Sequence, residues 1–231
     1  MSWQWPFRRG PGADRDVPWL PPELGDPEGL IGVGGELTPA TLLRAYSEGV
    51  FPWFSSGDPV LWWSPDPRAV IELDGLHVSR RLARTIRSGK FRVTVDVCFP
   101  DVMTACGEER PEGTWVTPEM IAGYTALHRA GHAHSVEVWS GDELAGGIYG
   151  VAVGGLFAGE SMFHRRTDAS KVALVALVER LRQRGYVLFD VQMVTDHTGR
   201  MGAVTIPRAD YLRRLKAAVA MAGVTFADGV S

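Results

Sequence analysis

Cysteine is scarce in this sequence: Cys98 and Cys106 are the two present among 231 residues, and no CxxC pair occurs. A disulfide scaffold is excluded, and a reducing, cytoplasmic compartment is expected. Long apolar runs are missing too. No stretch reaches the roughly 18 residues of a membrane span, because the most apolar one, residues 146–163, is broken by glycines and by Glu160. Residues 1–9, MSWQWPFRR, lack the apolar segment of a signal peptide. Neither charge is in large excess. The 24 Lys and Arg against 27 Asp and Glu leave −3, so bulk charge does not mark a nucleic-acid binder, although a local patch is left open. With 45% apolar and 22% charged residues, wholesale disorder and a collagen-like repeat are excluded. A chain of this length buries about 70% of its unfolded surface and needs neither disulfide nor metal to fold.

What is present is unevenly spread. Eleven of the 15 prolines and six of the eight tryptophans lie in residues 1–67, so the front third is built differently from the rest. Residues 1–36 read as loop and extended chain. Thr38-Pro39 opens a short helix with Leu42, Leu43 and Tyr46 on its apolar face and Gly49 as its stop. The aromatic, proline-punctuated residues 51–68 are expected to pack by their rings and not by a regular ladder. Strands are expected at 70–73, 91–97, 135–139 and 186–191, with a hairpin over 144–163 turning at Gly154-Gly155. Helices are expected after Ser79, after Thr117-Pro118, after Ser170 as a cap, and over 210–221. Helices interleaved with strands argue an α+β (mixed α/β) fold.

Several patterns fail as signals of chemistry. Gly32-Val33-Gly34-Gly35 has Leu37 where a dinucleotide loop needs its third glycine, and reads as a turn. Gly159-Glu160-Ser161-Met162-Phe163 lacks the closing glycine of a nucleophile elbow. His128, His132 and His134 have a spacing that could suggest zinc. Gly131 interrupts the helix between the first two, however, and packing or hydrogen-bonding histidines are the alternative; no metal is expected.

Other patterns carry more. Glu160 is a carboxylate in an apolar, strand-like stretch, where burial is costly unless it is paired; a structural ion pair and a functional carboxylate both remain open. Asp190 and Gln192 share a strand face by the two-residue period. They could handle a proton and hold a carbonyl or an amine, or form a buried hydrogen-bonded pair. Residues 75–95 contain no acidic residue but six cations: Arg80, Arg81, Arg84, Arg87, Lys90 and Arg92. On a helix Arg80, Arg84 and Arg87 share a face opposite Leu82 and Ile86, which favours phosphate contact over a merely solvated face. The tryptophans could stack an unpaired base, although most would equally fill a core.

Taken in order, a longer set of motifs is specific. It runs Gly34-Gly35-Glu36-Leu37, YSEGVFPW at 46–53, WWSPDPR at 62–68, Thr114-Trp115-Val116-Thr117, Leu127-His128 and GHAHSVEVW at 131–139. It continues with GGIYG at 146–150, GESMF at 159–163, Ala169-Ser170-Lys171, Asp190-Val191-Gln192, His197, Gly202-Ala203 and Ile206-Pro207-Arg208. The chain resembles the bacterial leucyl/phenylalanyl-tRNA–protein transferases over about residues 30–212. Val191 stands where cysteine is expected, and Arg200 where a small residue is expected.

The resemblance implies a GNAT-like aminoacyl-transfer domain at 67–231, preceded by a small N-terminal domain at 1–66, with no metal or diffusible cofactor. It implies transfer of leucine or phenylalanine, and less readily methionine, from aminoacyl-tRNA to acceptor proteins that begin with Arg or Lys, marking them for N-degron degradation. A cytoplasmic monomer with no membrane partner is expected.

The aminoacyl ester is already activated, so no covalent nucleophile is required. The task is to bring an amine to about 3–3.5 Å from the ester carbonyl and to manage one proton. An α-amine has a pKa of about 7.7–8.0 and is largely protonated at neutral pH. On the resemblance, Asp190 is expected to orient and help deprotonate that amine, Gln192 to hold the reacting groups in line, and Glu160 to serve the ester end or the amine. Ile148, Phe157, Met162 and Phe189 are expected to line the leucyl or phenylalanyl pocket, and Trp53 and Trp115 to stack the terminal adenosine. Arg80, Arg81, Arg84, Arg87, Lys90 and Arg92 are expected to meet tRNA phosphates. Two rivals fare worse. An acyl-CoA N-acetyltransferase would need an R/Q-x-x-G-x-G/A loop, which does not occur. A non-catalytic tRNA-binding module leaves Glu160, Asp190 and Gln192 without a role.

Overall fold

The computed structural model describes residues 18–108 and 114–227; the readings made for residues 1–17 lie outside them. The front of the chain forms β1 (Leu30–Val33), α1 (Pro39–Ser47), β2 (Phe51–Pro52) and β3 (Leu61–Trp63). There follow β4 (Arg68–Ile71), α2 (Arg80–Arg87), β5 (Arg92–Val95), α3 (Phe99–Glu108), α4 (Pro118–Arg129), β6 (Ala133–Ser140), β7 (Glu143–Val153) and β8 (Leu156–His164). The chain closes with α5 (Ala169–Gln183), β9 (Leu188–Gln192), α6 (Asp196–Arg200), β10 (Ala203–Ile206) and α7 (Arg208–Val219).

Two sheets result. A small antiparallel one has the order β1-β3-β2, and a seven-stranded one the order β10-β4-β9-β8-β7-β6-β5. All pairs in the large sheet are antiparallel except β8–β9. A parallel pair cannot be joined by a tight turn, and α5 supplies the crossover. The glycines of β7 let that helix lie close. A Cβ on Gly146 would come 2.7 Å from the Cβ of Ala169 at the start of α5.

Alternation along the strands sorts the core. Tyr149 and Val151 face a cluster shared with α1, α3, α4, α7 and the small sheet, whereas Ile148 and Ala152 face α5, α2 and Phe226 of the C-terminal segment. The first cluster runs without a break from Trp19 and Trp62 to Phe99 and Leu188, so the front of the chain has no core of its own.

The structure differs from the expectations in several places. Residues 51–68 do form a ladder: Phe51 pairs with Trp63 and Pro52 with Trp62. Helix α3 is an addition, although Phe99-Pro100 offers a proline in the first helical turn. Short α6 and β10 are additions likewise. Ser170 is not the cap of α5: Asp168, in the left-handed region at φ 71°, precedes the helix, and Ser170 is buried inside it. Val93, on the edge strand β5, faces solvent, as does Val97, which lies beyond the end of β5 and past Asp96 in the left-handed region at φ 58°.

Arg208 ties the front of the chain to α7. Its Nη1 donates to the carbonyls of Ser64 (2.7 Å) and Asp26 (3.0 Å), its Nη2 to that of Gly25, and its backbone N–H to Asp66 Oδ1 (3.0 Å). Arg208→Ala strands these carbonyls without a donor. It should lower stability by about 3 kcal/mol or more, read as a lower urea midpoint at unchanged slope.

Candidate active site

Strand β9 ends in an unusual way. Val70 pairs with Asp190 and Ala69 with Gln192, which leaves Val191 as an extra, bulged residue. Gln192 itself lies in the left-handed region at φ 56°, and the Met193 N–H donates to the Val191 carbonyl at 2.6 Å, closing a three-residue turn around it. A non-glycine residue in this conformation costs on the order of 1–3 kcal/mol and persists only where its surroundings hold it. The holder is Asp190, whose Oδ1 accepts the Gln192 N–H at 2.9 Å.

Asp190 is fully buried, as is its partner Arg68 at the head of β4. Arg68 Nε donates to Oδ1 at 2.9 Å and Nη2 to Oδ2 at 2.6 Å, a two-point pairing. Tyr211 of α7 donates to Oδ2 at 2.8 Å. The guanidinium is sandwiched 4.7 Å from the Phe51 ring centre and 4.6 Å from that of Tyr211, and its Nη1 donates to the Gly49 carbonyl at 3.2 Å. Burial alone would lower the Arg68 pKa, but the charge of Asp190 overrides it and holds the group above its ordinary value. Asp190 therefore receives four hydrogen bonds and reaches neither cavity described below.

Strand β8 carries a matching irregularity. Gly150 pairs with Gly159 and Tyr149 with Ser161, so Glu160 is the residue left out of the ladder. The β8–β9 pairing runs from Leu156 opposite Leu188 to Ala158 opposite Asp190. Glu160 thus stands just past the point where the two strands stop pairing. Its Oε1 accepts from Gln192 Nε2 at 3.0 Å and its Oε2 from the Tyr124 hydroxyl at 3.4 Å. Tyr124 in turn lies 2.5 Å from the Tyr46 hydroxyl. Burial is the largest influence on Glu160, and its carboxyl is pushed up to about 8; Asp190 raises it further, while the tyrosines and Arg68 oppose the rise.

Two cavities meet at this point. One, of about 340 Å³, is lined by Ile148, Met162, Phe189, Ser170 and His197 among others. The second, of about 290 Å³, is lined by Phe51, Pro52, Trp53 and Trp115. Glu160, Val191, Gln192, Met193 and Thr195 belong to both. Burial first, and then the nearby charge of Lys171 and Arg200, hold His197 below its ordinary pKa, so the imidazole is neutral near pH 7.

The expected residues are placed as follows. Gln192 and Glu160 lie on the shared wall, and Ile148, Met162 and Phe189 in the first cavity. Trp53 and Trp115 lie in the second. Phe157 is not on either. It is buried on the α5 side of the sheet, 5.2 Å from the Phe226 ring and 6.1 Å from that of Phe189. Asp190 and Gln192 do not act as a side-by-side pair, because the bulge and the left-handed turn direct Asp190 to Arg68 and Gln192 to Glu160. Sequence reasoning misses Arg68, Tyr46, Tyr124 and Tyr211; a buried carboxylate in an apolar strand calls for a buried cation, and Arg68 heads the apolar β4.

The six cations are exposed, four on α2 and two at or before β5. Among the described residues Arg80, Arg84 and Arg87 have no carboxylate partner, and Arg81 lies 3.8 Å from Asp168 at the start of α5. Two of the three expected histidines gather with Asp96. His134 Nδ1 is 2.7 Å and His128 Nδ1 4.0 Å from its carboxylate, while His128 Nδ1 also contacts the Ala133 carbonyl at 2.7 Å. His132 is not part of the group. The Cys98 thiol, pushed up to about 12 by burial and by Glu137 and Asp101, is not a nucleophile near neutral pH. No described helix is long and apolar enough to cross a membrane.

A family model described as "Leucyl/phenylalanyl-tRNA protein transferase" matches residues 70–216, and one described as "Leucyl/phenylalanyl-tRNA protein transferase N-terminal domain" matches residues 35–66. The chain is 55% identical over 204 residues to a leucyl/phenylalanyl-tRNA–protein transferase of Anaeromyxobacter sp. (strain Fw109-5), covering 87% of each. It is 53% identical over 192 residues to that of Shigella dysenteriae serotype 1, covering 83% of this chain and 82% of that one. Among solved structures it is similar to a GCN5-related N-acetyltransferase-like protein from Streptococcus suis, with a TM-score of 0.35 and 11% identity over 71% of this chain and 61% of that one. On the family models and the sequence relatives, the chain belongs to the leucyl/phenylalanyl-tRNA–protein transferase family and is an aminoacyl transferase acting on proteins.

Proposed function

We propose that this enzyme moves leucine or phenylalanine, and methionine less readily, from the 3′ end of tRNA to the α-amine of proteins that begin with Arg or Lys, a product destined for N-degron degradation. The observation that carries the reading is the pair of cavities joined at Glu160 and Gln192. An aminoacyl-adenosine has two bulky ends flanking one reactive ester, and the site has two compartments flanking one polar wall. The apolar side chain enters the Ile148, Met162 and Phe189 cavity, and the adenine stacks on Trp53 or Trp115. The ester carbonyl then lies against Gln192. Such a pocket separates side chains by only about 1–3 kcal/mol per methylene, which suits tolerance of Leu, Phe and Met. The Arg80–Arg92 cations take the phosphates of the tRNA body. Chain segments 1–66 and 67–231 act together as a monomer, the first supplying the aromatic seat and the second the transfer centre.

Glu160, not Asp190, takes the proton in this reading. A carboxylate at its usual value of about 4.3 would leave the proton on an amine of about 7.7–8.0. At about 8, Glu160 is matched to that amine, and the exchange is near balance. The ammonium first loses one proton to solvent; as the neutral amine nitrogen then bonds the ester carbon and the bond to the ribose oxygen breaks, a second proton passes from nitrogen to Glu160 and from there to the departing ribose oxygen. Asp190 acts through Gln192, whose turn it fixes.

The direct test offers labelled Leu-tRNA or labelled acetyl-CoA to an Arg-starting peptide. Leucine transfer is expected; acetyl transfer alone would replace the reading. Glu160→Gln should cut leucine transfer about a hundredfold or more. It should also stabilise the fold. With a folded pKa raised to about 8, wild-type stability declines as pH rises from about 4.5 to about 8 and is level beyond, a loss the amide escapes. The gap in Tm should therefore widen over that interval. Met162→Trp should suppress phenylalanine transfer more than leucine transfer, and an unchanged ratio would remove Met162 from the pocket. Neutralising Arg80, Arg84 and Arg87 together should flatten the salt dependence of tRNA binding, by about one unit of log–log slope for each phosphate no longer neutralised.

A further inference from the structure

Tyr46 and Tyr124 are fully buried, come from α1 and α4, and meet hydroxyl to hydroxyl at 2.5 Å. Phenylalanine would fill the same apolar space, since the rings already pack edge to face on each other and Tyr124 likewise on Tyr149. The two buried hydroxyls need partners, and the chain they form ends on Glu160 Oε2. Each phenol is held well above its ordinary pKa, chiefly by burial, so both keep their protons.

That chain has a property which a carboxylate bound permanently to one partner would not need. When Glu160 is ionised, the tyrosines donate toward it. When Glu160 is protonated, its new O–H can donate to the Tyr124 oxygen, Tyr124 to the Tyr46 oxygen, and Tyr46, which also hydrogen-bonds Glu160 directly, back to the carboxyl. Neither state strands a buried polar atom, so Glu160 can cycle between them without rearrangement of the fold. Its other oxygen remains with Gln192.

Resting on the reading of Glu160 as proton acceptor, we propose that Tyr46 and Tyr124 are positioning residues for aminoacyl transfer: their linked hydroxyls hold Glu160 Oε2 in both protonation states and make α1, from the front of the chain, part of the reacting centre. The groups bearing on Glu160 are Tyr46 from α1, Tyr124 from α4, Asp190 from β9 and Arg68 from β4. Burial and Asp190 disfavour its charge; the tyrosine hydrogen bonds and Arg68 favour it. Removing a hydroxyl removes a donor to the charged form, so the carboxyl titrates higher and less of the base is available at neutral pH.

The test is Tyr124→Phe, Tyr46→Phe and the double variant in the full chain. Transfer from Leu-tRNA to an Arg-starting peptide is followed from about pH 6 to about pH 9.5, a span that brackets the matched acid and amine, at times shorter than ester hydrolysis. Tyr124→Phe should leave KM for Leu-tRNA within about twofold, lower kcat about tenfold at pH 7, and move the acidic limb of the profile up by about one pH unit. Transfer should recover toward the wild-type level at the alkaline end. Tyr46→Phe should act in the same direction, and neither change should add to Glu160→Gln. Carbon-13 NMR titration of Glu160 in the unliganded protein should show the same upward displacement, without reliance on turnover. A uniform loss at every pH, or an unmoved limb and an unmoved Glu160 titration, would overturn the proposal. Wild-type transfer by Glu160→Gln would instead overturn the reading of Glu160, and the tyrosine proposal with it. An inactive Glu160→Gln beside Phe variants with wild-type profiles would overturn the tyrosine proposal alone.

Discussion

Arg68 and Asp190 form the interaction on which the rest of the site depends. They are 122 residues apart in sequence, and both are all but inaccessible to water. Desolvating two charges is expensive, and such a pair is tolerable only when its geometry is good and the remaining donors and acceptors are engaged. Here they are: two hydrogen bonds join the pair, a carbonyl takes Nη1, Tyr211 and the Gln192 N–H complete the carboxylate, and aromatic rings cover both faces of the guanidinium. From the pair, order passes outward in both directions. Toward β9 it fixes the left-handed turn that sends Gln192 to Glu160. Toward the front of the chain it supports Phe51, a wall of the aromatic cavity.

Asp190 and Glu160 are therefore treated differently by the same fold. Asp190 faces a full positive charge at hydrogen-bond distance; Glu160 faces an amide and phenols. One is committed to a buried two-point pair with Arg68, while the other is left with an affinity for protons close to that of an amine. Separating two acids by environment is a general way to divide roles between them. The fold achieves it with two local irregularities. Regular pairing at residue 160 would have kept that side chain in step with the ladder, and regular pairing at 191 would have left Asp190 and Gln192 side by side; the bulges re-aim both.

What was legible in the sequence follows from the range of the forces involved. Caps, glycine stops and alternation are local, so α1, α2, α4 and the β7–β8 hairpin could be read from neighbours. The isolation of Glu160 in an apolar strand was visible for the same reason. The bulge that frees it was not, because it depends on how three strands settle against one another. Tyr46 and Tyr124 each look like ordinary residues on the apolar face of a helix, and only the packing of α1 on α4 makes them a pair. Phe157 has the right chemistry and lies on the same side of the sheet as Ile148, Met162 and Phe189, since the bulge at Glu160 changes the parity count between Phe157 and Met162, but it packs against Tyr186 and Phe226 and does not reach the cavity.

The crowding of proline and tryptophan at the front of the chain has its reason in the same packing. Indole rings bring large apolar area but also an N–H that must be satisfied when buried. The Trp19 N–H donates a hydrogen bond to Glu48, that of Trp62 to the Gly34 carbonyl and that of Trp63 to the Trp53 carbonyl. Each ring thus fills space and fastens a loop at once, which suits a segment with a three-stranded sheet and one short helix. The segment has no separate core to hinge about, since its rings run into those over the large sheet. Trp53 and Phe51 are consequently carried to the Glu160 wall by the framework that Arg68 and Arg208 bind to the sheet.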